Sequence, residues 1–221
     1  MIGPDSKGTS IHRFIAAAQT RTRAQRDHLS GEWGKVLSLG EKIRQSYERA
    51  SPEQREAMNR AFIEPSGNRP GLTEEDVRQL VSAPLQHTLA GFIREQMRFL
   101  PKMQLAIICT TAEPGFITSD VPCVWWDPEA RNRPFPYNSV GLLFPTLEIT
   151  LPISPQQMAI ITHVPLARGG SVYLDFNGPY EGLVDELNRR IRAHCDKHFV
   201  VARNVTRPVW YDLGRPPESA A

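Results

Sequence analysis

The character of the chain changes at Pro101, and nothing else in the sequence constrains the fold as much. From Ser10 to Leu100 apolar residues recur at helical spacing, whereas beyond Pro101 they fall into short β-prone runs separated by Pro, Gly and Asn. Helices first and strands second is the α+β pattern, in which short connections allow antiparallel pairing. The expected architecture is an N-terminal helical half, residues 1–102, packed on a C-terminal, mainly antiparallel β-sheet with one late helix, residues 103–205. Residues 206–221 are expected to form a tail, frayed from Arg215. At 221 residues the two halves fit either one large domain or two small ones.

Local signals place the helices. Ile11, Phe14, Ile15 and Ala18 share a face, with Ser10 as the expected N-cap. A second helix, Glu32 to Arg49, sets Val36, Leu39, Ile43 and Tyr47 on one stripe. Ser51-Pro52-Glu53-Gln54 opens a third: a hydroxyl N-cap, proline at the first helical position and Gln54 closing a capping box. The Pro65 to Gly71 stretch ends that helix as a loop. Thr73-Glu74-Glu75-Asp76 repeats the capping signal, and Pro84 should break the helix near Ala83. A long helix follows, with Leu85, Leu89, Phe92, Ile93, Met97 and Leu100 as its apolar face and Pro101 as its end.

Strands are predicted at Leu105–Cys109, Phe116–Ser119, Val140–Leu143, Glu148–Ile153, Met158–His163, Val172–Phe176 and Phe199–Ala202. Pro128 to Asn138 reads as a surface loop. The Leu166 to Gly182 stretch, with Gly169-Gly170 and Asn177-Gly178-Pro179, is broken by turn residues. A helix from about Tyr180 to His194 aligns Leu183, Leu187 and Ile191.

Composition narrows the class. Hydrophobic residues at 40% and charged residues at 23% fit an ordinary globular chain. A net charge of +2 is too balanced to call for nucleic acid or a membrane surface as partner. Cys109, Cys123 and Cys195 are odd in number and widely spaced, which fits a reducing, cytoplasmic setting rather than a disulfide framework. No apolar run approaches the roughly 18 residues that span a bilayer, and no apolar signal segment follows Met1.

Candidate chemistry concentrates in Phe116-Ile117-Thr118-Ser119-Asp120-Val121-Pro122 and in Glu148-Ile149-Thr150-Leu151-Pro152-Ile153-Ser154-Pro155. Each ends a β-prone run in hydroxyls and proline. Asp120 and Glu148 are the candidate catalytic carboxylates and ligands for Mg²⁺ or Mn²⁺, since two carboxylates on neighbouring strands can hold a divalent cation. Ser119 would orient water or phosphate, and Thr118, Ser154 and Trp126 would line the site. The competing reading makes Ser-Asp-Val-Pro a turn in which Asp120 binds backbone amides, and it weighs more because Asp and Ser dominate ordinary turns. Of Trp125-Trp126, strand alternation puts one in the core and leaves the other to stack a ligand.

Other motifs are set aside. His194 and His198 are four apart, but the helix is expected to end near Asp196, before a metal pair can share a face. No nucleophile elbow, phosphate-cradling loop or dinucleotide fingerprint occurs. Arg13, Arg21, Arg23 and Arg26 are offset by Asp27 and Glu32 and read as a solvated face.

These residues resemble a known family, the bacterial domain of unknown function numbered 4238. The resemblance rests on Phe116 to Asp120 with Pro122, on Glu148-Ile149 and Leu151 to Pro155, and on Val184-Asp185-Glu186-Leu187-Asn188. It is extended by Phe14-Ile15, Gln19 and Arg21-Thr22. Relative to that family the chain reads as a shortened member, or as one whose start is assigned late, since the His- and Pro-containing segment with which members begin does not precede Ile11. The resemblance implies a link to bacterial phage-defence neighbourhoods and nuclease-like or toxin-like roles, with Asp120 and Glu148 as the carriers of any chemistry.

Three uses for the chain follow. It is a metal-dependent, nuclease-like hydrolase; or a non-catalytic binding or regulatory module whose helical half engages a protein partner; or a family remnant whose motifs only shape the fold. The second and third together outweigh the first. An exposed apolar stripe on the Leu85 to Leu100 helix would favour the second, and an Asp120 occupied by amides the third.

Overall fold

In a computed structural model, residues 6–61, 71–111, 113–164, 173–175 and 181–212 are described. The Pro65 to Pro70 loop, most of the Leu166 to Gly182 stretch and the tail from Arg215 lie outside them. The chain divides into two compact units, one of Met1–Thr22 and Gly91–Ala221, the other of Arg23–Ala90. The fold is α+β, with six helices, most of them N-terminal, and a mainly antiparallel sheet among the described residues.

The first unit begins with helix α1 (Ser6–Thr20). It starts before Ser10, so Ser10 lies within the helix and is not its cap. On its apolar face Ile15 is buried, while Phe14 is exposed.

The main sheet orders its strands β3 (Val124–Trp126), β4 (Glu148–Ser154), β5 (Gln157–Thr162), β1 (Gln104–Cys109) and β6 (Tyr173–Asp175). Only the β1–β6 pair is parallel; the other pairs are antiparallel. Strand alternation splits the side chains between two faces. Ala106, Ile108, Met158 and Ile160 join Val184, Leu187 and Ile191 of helix α6 (Glu181–His194), together with Trp210. On the other face Ile149, Leu151, Ala159 and Ile161 meet Ile15 and Ala16 of α1, with Leu100 and Met103. The sheet is therefore buried on both sides, which explains why β4 and β5 read as nearly continuous apolar runs. Trp210 is fully buried and donates its indole N–H to Asp185 at 2.8 Å.

A two-stranded sheet pairs β2 (Thr118–Ser119) with β7 (Phe199–Val200). The predicted strand at Val140–Leu143 does not form. That segment belongs to a loop whose conformation is set by distant groups: buried Asp127 accepts hydrogen bonds from Thr146, from the Glu129 amide and from Arg133, whose guanidinium lies over Phe144. Phe135, Tyr137 and Leu143 are left exposed on it.

The second unit holds helices α2 (Arg23–Arg49), α3 (Pro52–Ala61) and α4 (Glu74–Ser82) and the start of α5 (Pro84–Gln96). Both capping boxes form. Ser51 and Gln54 exchange bonds of 2.9 and 3.3 Å, and Thr73 and Asp76 bonds of 2.8 and 3.1 Å. The chain breaks at Ala83 before Pro84, where proline cannot continue the ladder. Helix α4 runs back along α2, joined by Arg44–Glu74 at 3.0 Å at one end and Ser30 to the Val81 carbonyl at 2.9 Å at the other. Helix α5 stops at Gln96, short of Leu100, and a 3-10 turn takes in Leu100–Lys102. Of its predicted apolar face, Leu100 is buried and the others are half-buried, so that stripe is neither open nor sealed.

Candidate functional site at the end of helix α6

The candidate residues gather in two clusters flanking the last turns of α6. The first is built on Asp120, where β2 ends. Its Oδ1 accepts the Asp196 amide at 2.9 Å, and its Oδ2 accepts those of Lys197 and His198 at 2.7 and 3.0 Å. In return the Asp120 amide donates to the His198 carbonyl at 3.0 Å. Burial, which opposes ionisation, is outweighed by the Lys197, His198 and Asp196 amides, so the Asp120 pKa is lowered. One carboxylate thus fastens the turn between α6 and β7 to the end of β2.

The hydroxyls near it serve local turns. Ser119 Oγ accepts the Val121 amide at 3.1 Å, and Ser154 Oγ accepts the Gln156 amide at 3.2 Å. Thr118 sits opposite Val200 in the β2–β7 pair.

The second cluster centres on Arg190. Trp126 and Glu148 are register partners across β3 and β4. Arg190 reaches Glu148 Oε2 at 2.6 Å and Glu186 Oε1 at 2.9 Å, while its guanidinium lies 4.9 Å from the Trp126 ring centre. His194 meets the same ring edge-on at 6.5 Å. Arg189 also holds Glu186, at 2.7 Å. Burial of Glu186 is outweighed by its bonds to Arg189 and Arg190, and its pKa is lowered. Glu148 and Trp126 are therefore brought together. Asp120 directly follows β2 of the two-stranded sheet and has different partners.

A third set of contacts ties together the motif segments. Asn188, fully buried on α6, accepts the Ile117 amide at 3.0 Å through Oδ1 and donates from Nδ2 to the Gly115 carbonyl at 2.8 Å. Phe116 donates its amide to the Pro155 carbonyl at 2.7 Å. Gly115 has φ +80°, and a Cβ there would lie 2.2 Å from the Pro155 oxygen, so only glycine fits. The segments ending in Asp120, Pro155 and Asn188 thus form one hydrogen-bonded seam over a shared core.

The donor set suits a resident divalent cation poorly. Such an ion takes six or more oxygens. Glu148 already faces a guanidinium, which repels a second cation, and both Asp120 oxygens carry amide bonds. No group of three or more His, Cys, Asp or Glu side chains is placed to hold a metal among the described residues.

Sequence reasoning passed over Arg190, and Asp185 and Asn188 entered it only within the resemblance, without a role. Arg190 had a local signal, its four-residue spacing from Glu186. Asn188 had none, because its partners lie more than seventy residues away.

The fold and this seam define an α+β protein whose motif residues are spent mainly on backbone. The chain belongs to the family described as protein of unknown function, DUF4238, whose model matches residues 5–206. Comparison with curated proteins and with solved structures gave no match.

Proposed function

We propose that the protein is a non-catalytic binding or regulatory module, working in the reducing interior of a bacterial cell and docking on a protein partner through its helical unit. One observation carries this. Helix α2 is 27 residues long and buries no residue, yet it carries Val36, Leu39, Ile43 and Tyr47 on one stripe. All four are exposed, Leu39 by 59%. Helices draw most of their stability from covering an amphipathic face. Here α4 covers one flank, and this second apolar flank is open. Three free cysteines support the reducing setting. Among the described residues no helix is long and apolar enough to cross a membrane.

The test is site-specific photocrosslinking in cells of the source organism. A photoreactive residue at position 39 is expected to give a discrete adduct that the same residue at exposed Arg60 on α3 does not. Equal, diffuse labelling from both positions would refute the module.

The alternative remains a metal-dependent, nuclease-like and defence-associated hydrolase using Asp120 and Glu148. The amide bonds on Asp120 and the Arg190 partner of Glu148 weigh against it. Stabilisation of the wild-type chain by Mg²⁺ or Mn²⁺, lost in both Asp120→Asn and Glu148→Gln, would reverse the preference.

A further inference from the structure

We infer that the partner segment engaged by α2 is an amphipathic helix whose apolar seam is bordered by carboxylates. This rests on α2 being the docking face and adds the chemistry of what docks there. One register of α2 recurs every seventh residue. Leu29, Val36 and Ile43 stand at that interval along one line, continued by Ala50 just past the helix end, and the residue before each is a cation or histidine: His28, Lys35, Lys42 and Arg49. At 3.6 residues per turn the two series run side by side, a seam with a basic border. All four border residues are exposed. Lys35 has one partner, Glu32 at 2.6 Å. Lys42 and Arg49 have no carboxylate partner among the described residues.

Three features select a helix over other occupants. Leu29, Val36, Leu39, Ile43 and Tyr47 span an arc of about 80°, the width of a coiled-coil seam, interrupted by the exposed Glu32, whereas a helix lying on a bilayer presents a broad and unbroken apolar face. Gly40 borders the stripe on the side away from the cations, and a Cβ there would meet nothing within 4 Å, so a neighbouring backbone can approach closely. The seam then runs into an open groove of about 600 Å³ between α2 and α3, lined by Ser46, Arg49, Ala50, Ala57 and Met58 among others.

Charge argues against a second copy. In an antiparallel pair the basic border would face its own copy, and like charges repel. In a parallel pair it would face Trp33, Gly40 and Tyr47, which carry no charge. The one carboxylate on the seam, Glu32, is already held by Lys35 at 2.6 Å, so a second copy leaves Lys42 and Arg49 unmatched, and a partner with Glu or Asp beside its seam is the complementary one.

The test uses the full chain and three synthetic helices of about three heptads, identical at the seam and bordered by Glu, Gln or Lys. Binding is read by fluorescence anisotropy at two salt concentrations. The Glu helix is expected to bind at least roughly tenfold tighter than the Lys helix, and less tightly at high salt. Lys42→Glu with Arg49→Glu should reverse that order, and Leu39→Glu should abolish binding of all three, with helicity unchanged by circular dichroism. If all three bind equally and Leu39→Glu removes them, the docking face stands and the partner chemistry is wrong. If none binds, both fail. Binding to phosphatidylglycerol vesicles in preference to the Glu helix, or self-association that Leu39→Glu dissolves, would also overturn the inference.

Discussion

Asn188 offers the sharpest test of the seam joining the motif segments. Its side chain is fully buried and serves two main-chain groups, the Ile117 amide and the Gly115 carbonyl. Asn188→Ala removes both partners from groups that water cannot reach without opening the core, since Phe116 and Ile117 are also buried. Leaving one buried polar group unpaired costs about 1–3 kcal/mol, so two cost about 2–6 kcal/mol. That is a large share of the roughly 5–15 kcal/mol that holds an ordinary domain together. Urea unfolding should be followed by tryptophan emission in a Trp33→Phe background, so that Trp125, Trp126 and Trp210 report only the unit they share with Asn188. A control separates hydrogen bonding from packing. Asn188→Asp keeps the shape and one acceptor, but it sets a carboxylate against the Gly115 oxygen. Burial and that oxygen both raise the new acid's pKa, so its folded value exceeds its unfolded one. The sign then follows: the variant is least stable at neutral pH and recovers relative to wild type as pH falls and the acid becomes a donor. Losses below about 1 kcal/mol in both variants, or no recovery in acid, would refute the role given to Asn188.

Two further outcomes follow from titratable groups in the same unit. Burial of Asp127, which opposes ionisation, is outweighed by its bonds to Arg133, Thr146 and the Glu129 amide, so its pKa lies below the ordinary 3.8. A depressed folded pKa contributes stability that is present above 3.8 and lost as pH falls through the folded value; urea midpoints from neutral pH downward should drop less steeply in Asp127→Asn, and parallel slopes would count against the ion pair. Burial pushes the Cys123 thiol up to about 12, so iodoacetamide at neutral pH should leave it unmodified in native protein and alkylate it in urea, read by peptide mass mapping; native labelling at the denatured rate would contradict its placement.

Much of the fold was legible because its signals are local. The Ser51–Gln54 and Thr73–Asp76 boxes, the break before Pro84, and strands β1, β4 and β5 all follow from neighbouring residues and their periodicity. Failures came where distant groups decide. Val140–Leu143 has the composition of a strand, but the Asp127–Arg133–Thr146 contacts hold its segment as a loop. The chemistry divided in the same way. That Asp120 bonds backbone amides was readable from Ser-Asp-Val-Pro, yet its three donors come from residues 76 to 78 positions further on. Glu148 was readable as a residue at the start of a strand, and its guanidinium partner lies 42 positions away.

These contacts bear on where the activity of such a chain should be sought. The side chains that carry the resemblance have their polar atoms committed: Asp120 to three amides, Asn188 to an amide and a carbonyl, Ser119 and Ser154 to their own turns. Redirecting any of them toward a substrate would leave a main-chain group unpaired, and for Asn188 that group is buried. Sequence likeness through these residues therefore carries information chiefly about how the α6 turn, β2 and the Pro155 corner hold together. Two copies of the fold could keep every one of these bonds and differ wholly in what they bind. Helix α2 stands in the opposite position. Its exposed seam and basic border contribute little to packing within the unit, so stability places few demands on them. A surface costly to leave in water and dispensable to folding is where a binding function is expected to be written.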